Sequence, residues 1–240
     1  MRLDQYLVNH QMVASRSMAT NFIKDSYVSV NGKVITKPSF EVSDQDQVNL
    51  ERPHDIDLVS RGYLKIWPFI EDLNQYFPLK GKKCLDVGAS TGGFTQVLLK
   101  YQPAEIYCID VGHDQLNPEI KNNPNVKNFE GVNARNSLPF NEIFDLIVMD
   151  VSFISTRLIL PNLRQYLVDN GHLLFLFKPQ FEIGKNSYKN NIIPLELHPG
   201  LIEQMKLFLN EEKYILKNYS PAPISGKQGN QEYIFHIMKN

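Results

Sequence analysis

The sequence predicts an α/β chain in two parts, a small α+β module followed by a doubly wound, largely parallel sheet. Three observations carry this. From about residue 63 onward, short apolar runs alternate with stretches of helical periodicity. One such run, Cys84-Leu85-Asp86-Val87, ends in the small-residue turn Gly88-Ala89-Ser90-Thr91-Gly92-Gly93, and Phe94-Thr95-Gln96-Val97-Leu98-Leu99 then has helical spacing. A proline-containing polar joint, Arg52-Pro53-His54-Asp55-Ile56-Asp57, separates the first 52 residues from the rest.

Residues 1–52 form the first module. Leu3, Tyr6 and Leu7 have helical spacing, and Ala14-Ser15-Arg16-Ser17 reads as a helix start with Met18, Phe22 and Ile23 on one face. Tyr27-Val28-Ser29-Val30 is strand-like, Asn31-Gly32 is a tight-turn signal, and Lys33-Val34-Ile35 follows it. Asp46-Gln47-Val48-Asn49-Leu50 supplies one more strand. So small a unit buries little apolar surface and needs its neighbour or a partner.

Residues 53–62 are the expected linker and 63–240 the sheet domain. A helix is expected around 63–77, with Pro68 near its first turn or kinking it. Strands are expected at 83–87, 105–110, 144–150 and 172–178, with one more just before Glu130. A helix at 199–211 and strands near 213–219 and 231–238 complete the pattern.

Composition narrows the classes. No apolar run reaches the roughly 18–20 residues of a membrane span, and Met1-Arg2-Leu3-Asp4 does not read as a secretory signal. A cytoplasmic location is expected, with Cys84 and Cys108 as buried thiols. The net charge of −1 excludes indiscriminate polyanion binding driven by a large positive field, so any nucleic-acid contact rests on a local basic track. No His, Cys or acid cluster has metal-ligand spacing; His198 and Cys84 stand alone, and no metal site is expected.

Ligands of doubly wound sheets bind beyond the carboxyl ends of the strands, where the strand order reverses. The turn after Asp86 is such a place, because small residues admit a ligand to the backbone and the next helix offers free N–H groups. Asp110 ends the next strand about twenty residues on, suited to a ribose hydroxyl, and Asn133 follows the strand after that, near where a purine would lie. The order G-A-S-T-G-G lacks the G-x-G-x-x-G of dehydrogenases.

D-V-G-A-S-T-G-G-F instead resembles the S-adenosylmethionine loop of Rossmann-like methyltransferases, particularly the FtsJ-like RNA 2′-O-methyltransferases. The resemblance implies a seven-stranded, mostly parallel sheet whose last strand is antiparallel. It places Asp86, Gly88, Ser90, Thr91, Gly92 and Phe94 around the methionine and sulfonium, with Ala89 and Gly93 in the same turn. Asp110 with Val111 would hold the ribose, Asn133 would lie by the adenine, and Asp150 would border the pocket.

Charged residues gather at the same edge. The run 145–150 ends in Asp150, the run 172–178 ends in Lys178, Glu232 opens the last strand, and Lys65 lies on the helix before the glycine turn. A sulfonium methyl is already activated, so such a set has to align a hydroxyl and help remove its proton. Lys178 is either a true base or an orienting donor, with Asp150 and Glu232 orienting the two lysines. S-R-G-Y-L-K-I, M-D-V-S-F-I-S, F-K-P-Q-F-E-I-G-K and G-N-Q-E-Y, around these four, together look like the TlyA group, also labelled hemolysin A. Its members resemble ribosomal RNA cytidine 2′-O-methyltransferases, which implies the tetrad Lys65, Asp150, Lys178 and Glu232. Phe153 is a candidate contact to a flipped base, or else packs under the sheet, and Phe181-Glu182 and Lys185, with the polar loop 184–191, are candidates to order on RNA.

The first module, with R-L-D-Q-Y-L, S-R-S-M-A, Y-V-S-V-N-G-K-V and a V-N-L strand, resembles the S4 RNA-binding fold. By that resemblance Arg2, Arg16, Lys24 and Lys33 are candidate phosphate contacts, joined by Arg61 from the second part. Acids such as Asp4, Asp25, Glu41 and Asp46 offset those bases, and a protein-docking module is the alternative. The implied partner is ribosomal RNA or a ribosomal subunit. Two rival functions are a non-catalytic ribosome-assembly or RNA-binding protein and a membrane-active hemolysin.

Overall fold

A computed structural model describes residues 1–10, 12–13, 16–24, 26–43, 45–50, 58–183 and 192–240, without the side chains of residues 17, 18 and 21. The chain divides into two compact units, 1–57 and 58–240. The expected joint at 52–57 and the loop 184–191 lie outside the described residues.

The first unit packs α1 (Leu3–Asn9) and α2 (Arg16–Lys24) with an antiparallel sheet of order β2-β1-β3. β1 is Val28–Val30, β2 is Lys33–Val34 and β3 is Val48–Leu50. Asn31 and Gly32 take φ of 52° and 78°, the left-handed pair that a two-residue hairpin turn requires. Leu3, Leu7, Ile23 and Val28 are fully buried. The strand expected from Asp46 begins only at Val48, because the Asp46 carboxylate accepts from Ser43 N and Asn31 Nδ2, both at 2.8 Å, and so ties up a turn.

The second unit is a seven-stranded sheet of order β6-β5-β4-β7-β8-β10-β9. Its strands are β4 (Lys83–Val87), β5 (Glu105–Asp110), β6 (Val126–Glu130), β7 (Phe144–Met149), β8 (Leu167–Phe177), β9 (Tyr214–Pro221) and β10 (Tyr233–Lys239). β4 through β8 pair in parallel, and the last strand, β10, runs antiparallel to both β8 and β9. The chain moves outward from β4 to β6 and then returns to the far side of β4 with β7. The order therefore reverses at β4/β7, and Asp150 N donates to Val87 O there at 3.0 Å. Phe144, Phe175, Phe177 and Phe235 are fully buried across the centre of the sheet.

Helices α3 (Gly62–Tyr76), α4 (Gly93–Leu99), α5 (Pro118–Lys121), α6 (Leu160–Leu163), α7 (Pro179–Glu182) and α8 (His198–Glu211) complete the unit. Pro68 lies inside α3, in its second turn, and not in the first turn. β8 begins five residues before the expected 172: Asn170 adopts φ of 60° and the register with β7 shifts, so the Asn-Gly pair is absorbed as an irregularity within the strand. Cys84 and Cys108 are free and buried on neighbouring strands, and burial pushes both thiols up, away from reactive thiolate.

Candidate active site

The turn between β4 and α4 is built on backbone conformations that few side chains adopt. Gly88, Ser90 and Gly92 have φ of 80°, 47° and 96°. A Cβ on Gly88 would lie 2.5 Å from Asp150 O, and one on Gly92 would lie 2.6 Å from Ile120 Cδ1. Both positions therefore need glycine for space as well as torsion. The turn is knitted to the end of β5 by Asp110, whose carboxylate accepts from Ser90 N and Gly112 N, each at 2.8 Å. Ser90 and Thr91 are exposed, Ala89 is buried, and Val111 stands 68% exposed beside Asp110. Asn133 is only partly exposed, and its Oδ1 accepts from Arg135 N at 3.1 Å and Nε at 3.3 Å, closing its own turn.

Behind the turn, Asp86 is fully buried. Its Oδ2 accepts from Thr95 Oγ1 at 2.6 Å, and that hydroxyl lies 3.1 Å from Cys108 Sγ. Burial, augmented by the charges of Asp150 and Asp110, pushes the Asp86 carboxyl up to about 7. Its Oδ1 has no hydrogen-bond partner among the described residues. Phe94 and Gly93 are also buried, Phe94 lying against Gly62 of α3. The residues fit a cationic nucleoside ligand: a left-handed glycine turn, an aspartate at the end of the neighbouring strand, an exposed apolar residue beside it, and a buried acid with an unengaged oxygen.

The four charged candidates form two close couples, in which Lys65, Lys178 and Glu232 are buried and Asp150 is partly exposed. Lys65 Nζ donates to Glu232 Oε2 at 2.7 Å, with the two side chains 11% and 3% exposed. Lys178 Nζ lies 2.5 Å from Asp150 Oδ1 and donates to Ser152 Oγ at 3.0 Å. Asp150 and Lys178 each stand one residue past the end of β7 and β8, and Glu232 stands one residue before β10. Because Tyr233 pairs with Phe177, continuing that register sets Glu232 opposite Lys178. α3 supplies Lys65 from the side. Gln180 Nε2 donates to Glu232 Oε1 at 3.1 Å, so the segment after Lys178 also holds the carboxylate of the other couple. Burying Lys65, Lys178 and Glu232 is tolerable only because each has a close partner of opposite sign.

Phe153, on the loop beyond Asp150, is 86% exposed with φ of 65° and lies 5.2 Å from Phe181, ring centroid to ring centroid. It does not pack under the sheet. Arg61 Nη2 donates to Ser225 O at 3.0 Å, joining the start of α3 to the loop before β10. In the first unit, Arg2 forks onto both oxygens of the buried Asp4 at 3.0 Å, and Arg16 Nε adds a third bond at 3.0 Å. Burial works to raise the Asp4 carboxyl, but the two guanidiniums outweigh it and hold it below the usual range. Asp4 thus gathers the two arginines side by side, while Lys24 and Lys33 are exposed. His198 is a satisfied core residue between Tyr233 Oη and Ile193 O, and no group of metal-binding side chains occurs among the described residues. Sequence reading missed Gln180, Ser152 and Gly226; the first two lie in quoted motifs, yet nothing in the sequence separates them from ordinary polar loop residues. Glu182, expected with Phe181 in a loop that orders on RNA, instead holds Ser155 and Thr156.

The family model for FtsJ-like methyltransferases matches residues 58–239, and that for the S4 domain matches residues 1–48. A 23S rRNA (cytidine-2′-O)-methyltransferase TlyA of Campylobacter jejuni is 34% identical over 267 residues that cover all of both chains. A protein named Hemolysin A from Brachyspira hyodysenteriae is 36% identical over 247 residues, 99% of this chain and 100% of that one. A solved structure described as a hemolysin from Streptococcus thermophilus matches with a TM-score of 0.74 and 31% identity, covering 100% of this chain and 88% of that one.

Proposed function

The chain belongs to the FtsJ-like methyltransferase family, with an S4 domain at its N-terminus, and from that premise we propose that it methylates the 2′-hydroxyl of a cytidine in ribosomal RNA, with S-adenosylmethionine as donor. The observation that carries this reading is the pair of close lysine–carboxylate couples at the sheet edge that also bears the glycine turn. Gly88, Ala89, Ser90, Thr91 and Gly92 would hold the methionine end of the donor, Asp86 and Phe94 backing them, and Asp110 with Val111 the ribose. When bound, the donor supplies a methyl carbon already activated by its sulfonium.

The remaining work belongs to the protein. Lys178, fixed by Asp150 and Ser152, orients the ribose hydroxyl and, entering the step as the neutral amine, takes its proton as the new C–O bond forms and the C–S bond breaks. Lys65 and Glu232 fix the other side of the same pocket. Phe153 offers an exposed ring to a base removed from its stack. The S4 unit contributes phosphate contacts through Arg2 and Arg16, with Lys24, Lys33 and Arg61 as further cations. Among the described residues no helix is long and apolar enough to cross a membrane.

The deciding experiment is transfer of tritium-labelled methyl from the donor to intact ribosomes and to separated subunits, followed by mapping of the modified nucleotide. Lys178→Ala should lose transfer by at least about 1,000-fold while donor affinity, read by calorimetry, stays within a few-fold. Full activity in that variant rejects the role given to Lys178. Wild-type protein that binds donor and RNA yet transfers no methyl would favour the non-catalytic alternative.

A further inference from the structure

Glu182 is four residues beyond Lys178, at the end of the single turn α7, and its side chain has no solvent exposure. All of its partners lie on the segment that follows Asp150. Oε1 accepts from Thr156 N and Thr156 Oγ1, both at 2.8 Å, and Oε2 accepts from Ser155 Oγ at 2.6 Å. Arg157 Nε lies 3.9 Å away. A buried carboxylate holding three close hydrogen bonds to one short stretch of chain is a fixed joint and not a surface ion pair.

The loop so held carries the chemistry. It begins at Asp150, which pairs with Lys178, passes through Ser152, which accepts from Lys178, and reaches Phe153 before meeting Ser155 and Thr156. Phe153 has φ of 65°, a conformation a bulky residue keeps only when its surroundings over-determine it. Residues 178–182 therefore grip the loop twice: Lys178 at its start and Glu182 at its end. Phe181, between them, packs against Phe153 with the two rings tilted.

We propose that Glu182 is a positioning residue for methyl transfer, setting the Asp150–Phe153 loop against Lys178. This rests on the reading of Lys178 and Asp150 given above. Glu182→Ala removes all three bonds, whereas Glu182→Gln retains an oxygen for Thr156 and an amide that donates to the Ser155 hydroxyl. The test measures kcat and KM for ribosomal RNA, donor affinity by calorimetry, and hydrogen exchange of the Thr156 amide, at a temperature where each variant is folded.

Glu182→Ala is expected to lower kcat roughly 30-fold, with donor affinity within about two-fold and faster exchange at Thr156; Glu182→Gln should recover most of the rate. Tyr214→Phe, which removes a buried bond from Tyr214 Oη to Leu160 O, four residues beyond Thr156, and leaves the bonds of Glu182 untouched, is the control for lost stability and should keep the wild-type kcat. Ser155→Ala, a milder cut of the same joint, serves if Glu182→Ala does not fold, and should lower kcat about three-fold. Wild-type kcat in Glu182→Ala and Ser155→Ala, or an equal loss in Tyr214→Phe, overturns the proposal. Lys178→Ala in the same series separates the two readings: if it remains active, the underlying assignment has failed, and if it is dead while Glu182→Ala is active, only the joint has failed.

Discussion

Gly226 is the position where a single methyl group should cost most in rate and least in fold. It is buried in the loop between β9 and β10, where its N–H donates to Asn230 O at 2.9 Å. A Cβ there would lie 2.5 Å from Glu232 Oε1 and 3.0 Å from its Cδ. Ordinary contact needs roughly 3.5 Å, so the carboxylate must retreat by about 1 Å. It is the far end of a flexible side chain, so the rotamer adjustment costs only about 1 kcal/mol of stability. The same retreat acts on the bonds from Lys65 at 2.7 Å and Gln180 at 3.1 Å. At an effective dielectric of about 20, drawing the ion pair apart by that much loses roughly 1–2 kcal/mol of attraction. A displacement of about 1 Å within a catalytic arrangement costs on the order of 100-fold in rate. Gly226→Ala should therefore lower single-turnover methyl transfer roughly 30- to 100-fold, with the melting temperature down only a few degrees and donor affinity nearly unchanged. Gly229→Ala is the control: its φ is 94° but nothing lies within 4 Å of a new Cβ, so it should lose about 1–2 kcal/mol of stability and little rate. A Gly226→Ala protein turning over at the wild-type rate would refute the claim that Glu232 needs its present place.

Three further outcomes are expected. Asp86 binds its proton more tightly in the fold, near 7 against 3.8, so the ligand-free chain loses up to about 4 kcal/mol as pH rises through that window; Asp86→Asn should flatten this loss in denaturant titrations and weaken donor binding. His172 Nδ1 and His236 Nε2 lie 2.7 Å apart, and both rings are lowered from 6.5 to about 4, His172 by burial with Lys217 and Lys82 nearby and His236 by burial with His172 and Lys217 nearby. The unfolded chain takes up those protons first, so unfolding free energy should fall as pH drops from about 6.5 toward 4, and a His172→Phe, His236→Phe double variant that folds should lose that slope. Arg16→Ala should weaken binding to a ribosomal RNA fragment several-fold at about 0.1 M salt and reduce the salt slope by about one, as filter binding at several salt concentrations would show; an unchanged slope removes Arg16 from the phosphate contacts.

Local patterns were legible where one residue type has few conformational options. Gly88 and Gly92 marked the turn because the backbone there is left-handed and crowded, and Asn31-Gly32 marked its hairpin for the same torsional reason. The apolar runs at 83–87 and 105–110 became strands with the expected bounds. The strand at 172–178 was found late, because long-range pairing to β7 and β10 overrides local turn signals.

By itself the sequence determined which chemical groups the molecule owns, and that Asp110, Asp150 and Lys178 end strands, since a parallel sheet sends every such end to one rim. It also carried the family through motif wording spread along nearly the whole chain. Only the tertiary structure decided who holds whom. The 167 residues between Lys65 and Glu232 are bridged by the helix packing on the sheet and the antiparallel return of β10. Likewise Arg2 and Arg16 answer to Asp4 and Glu182 answers to Ser155 and Thr156, because partner choice in a buried charge network is a property of packing.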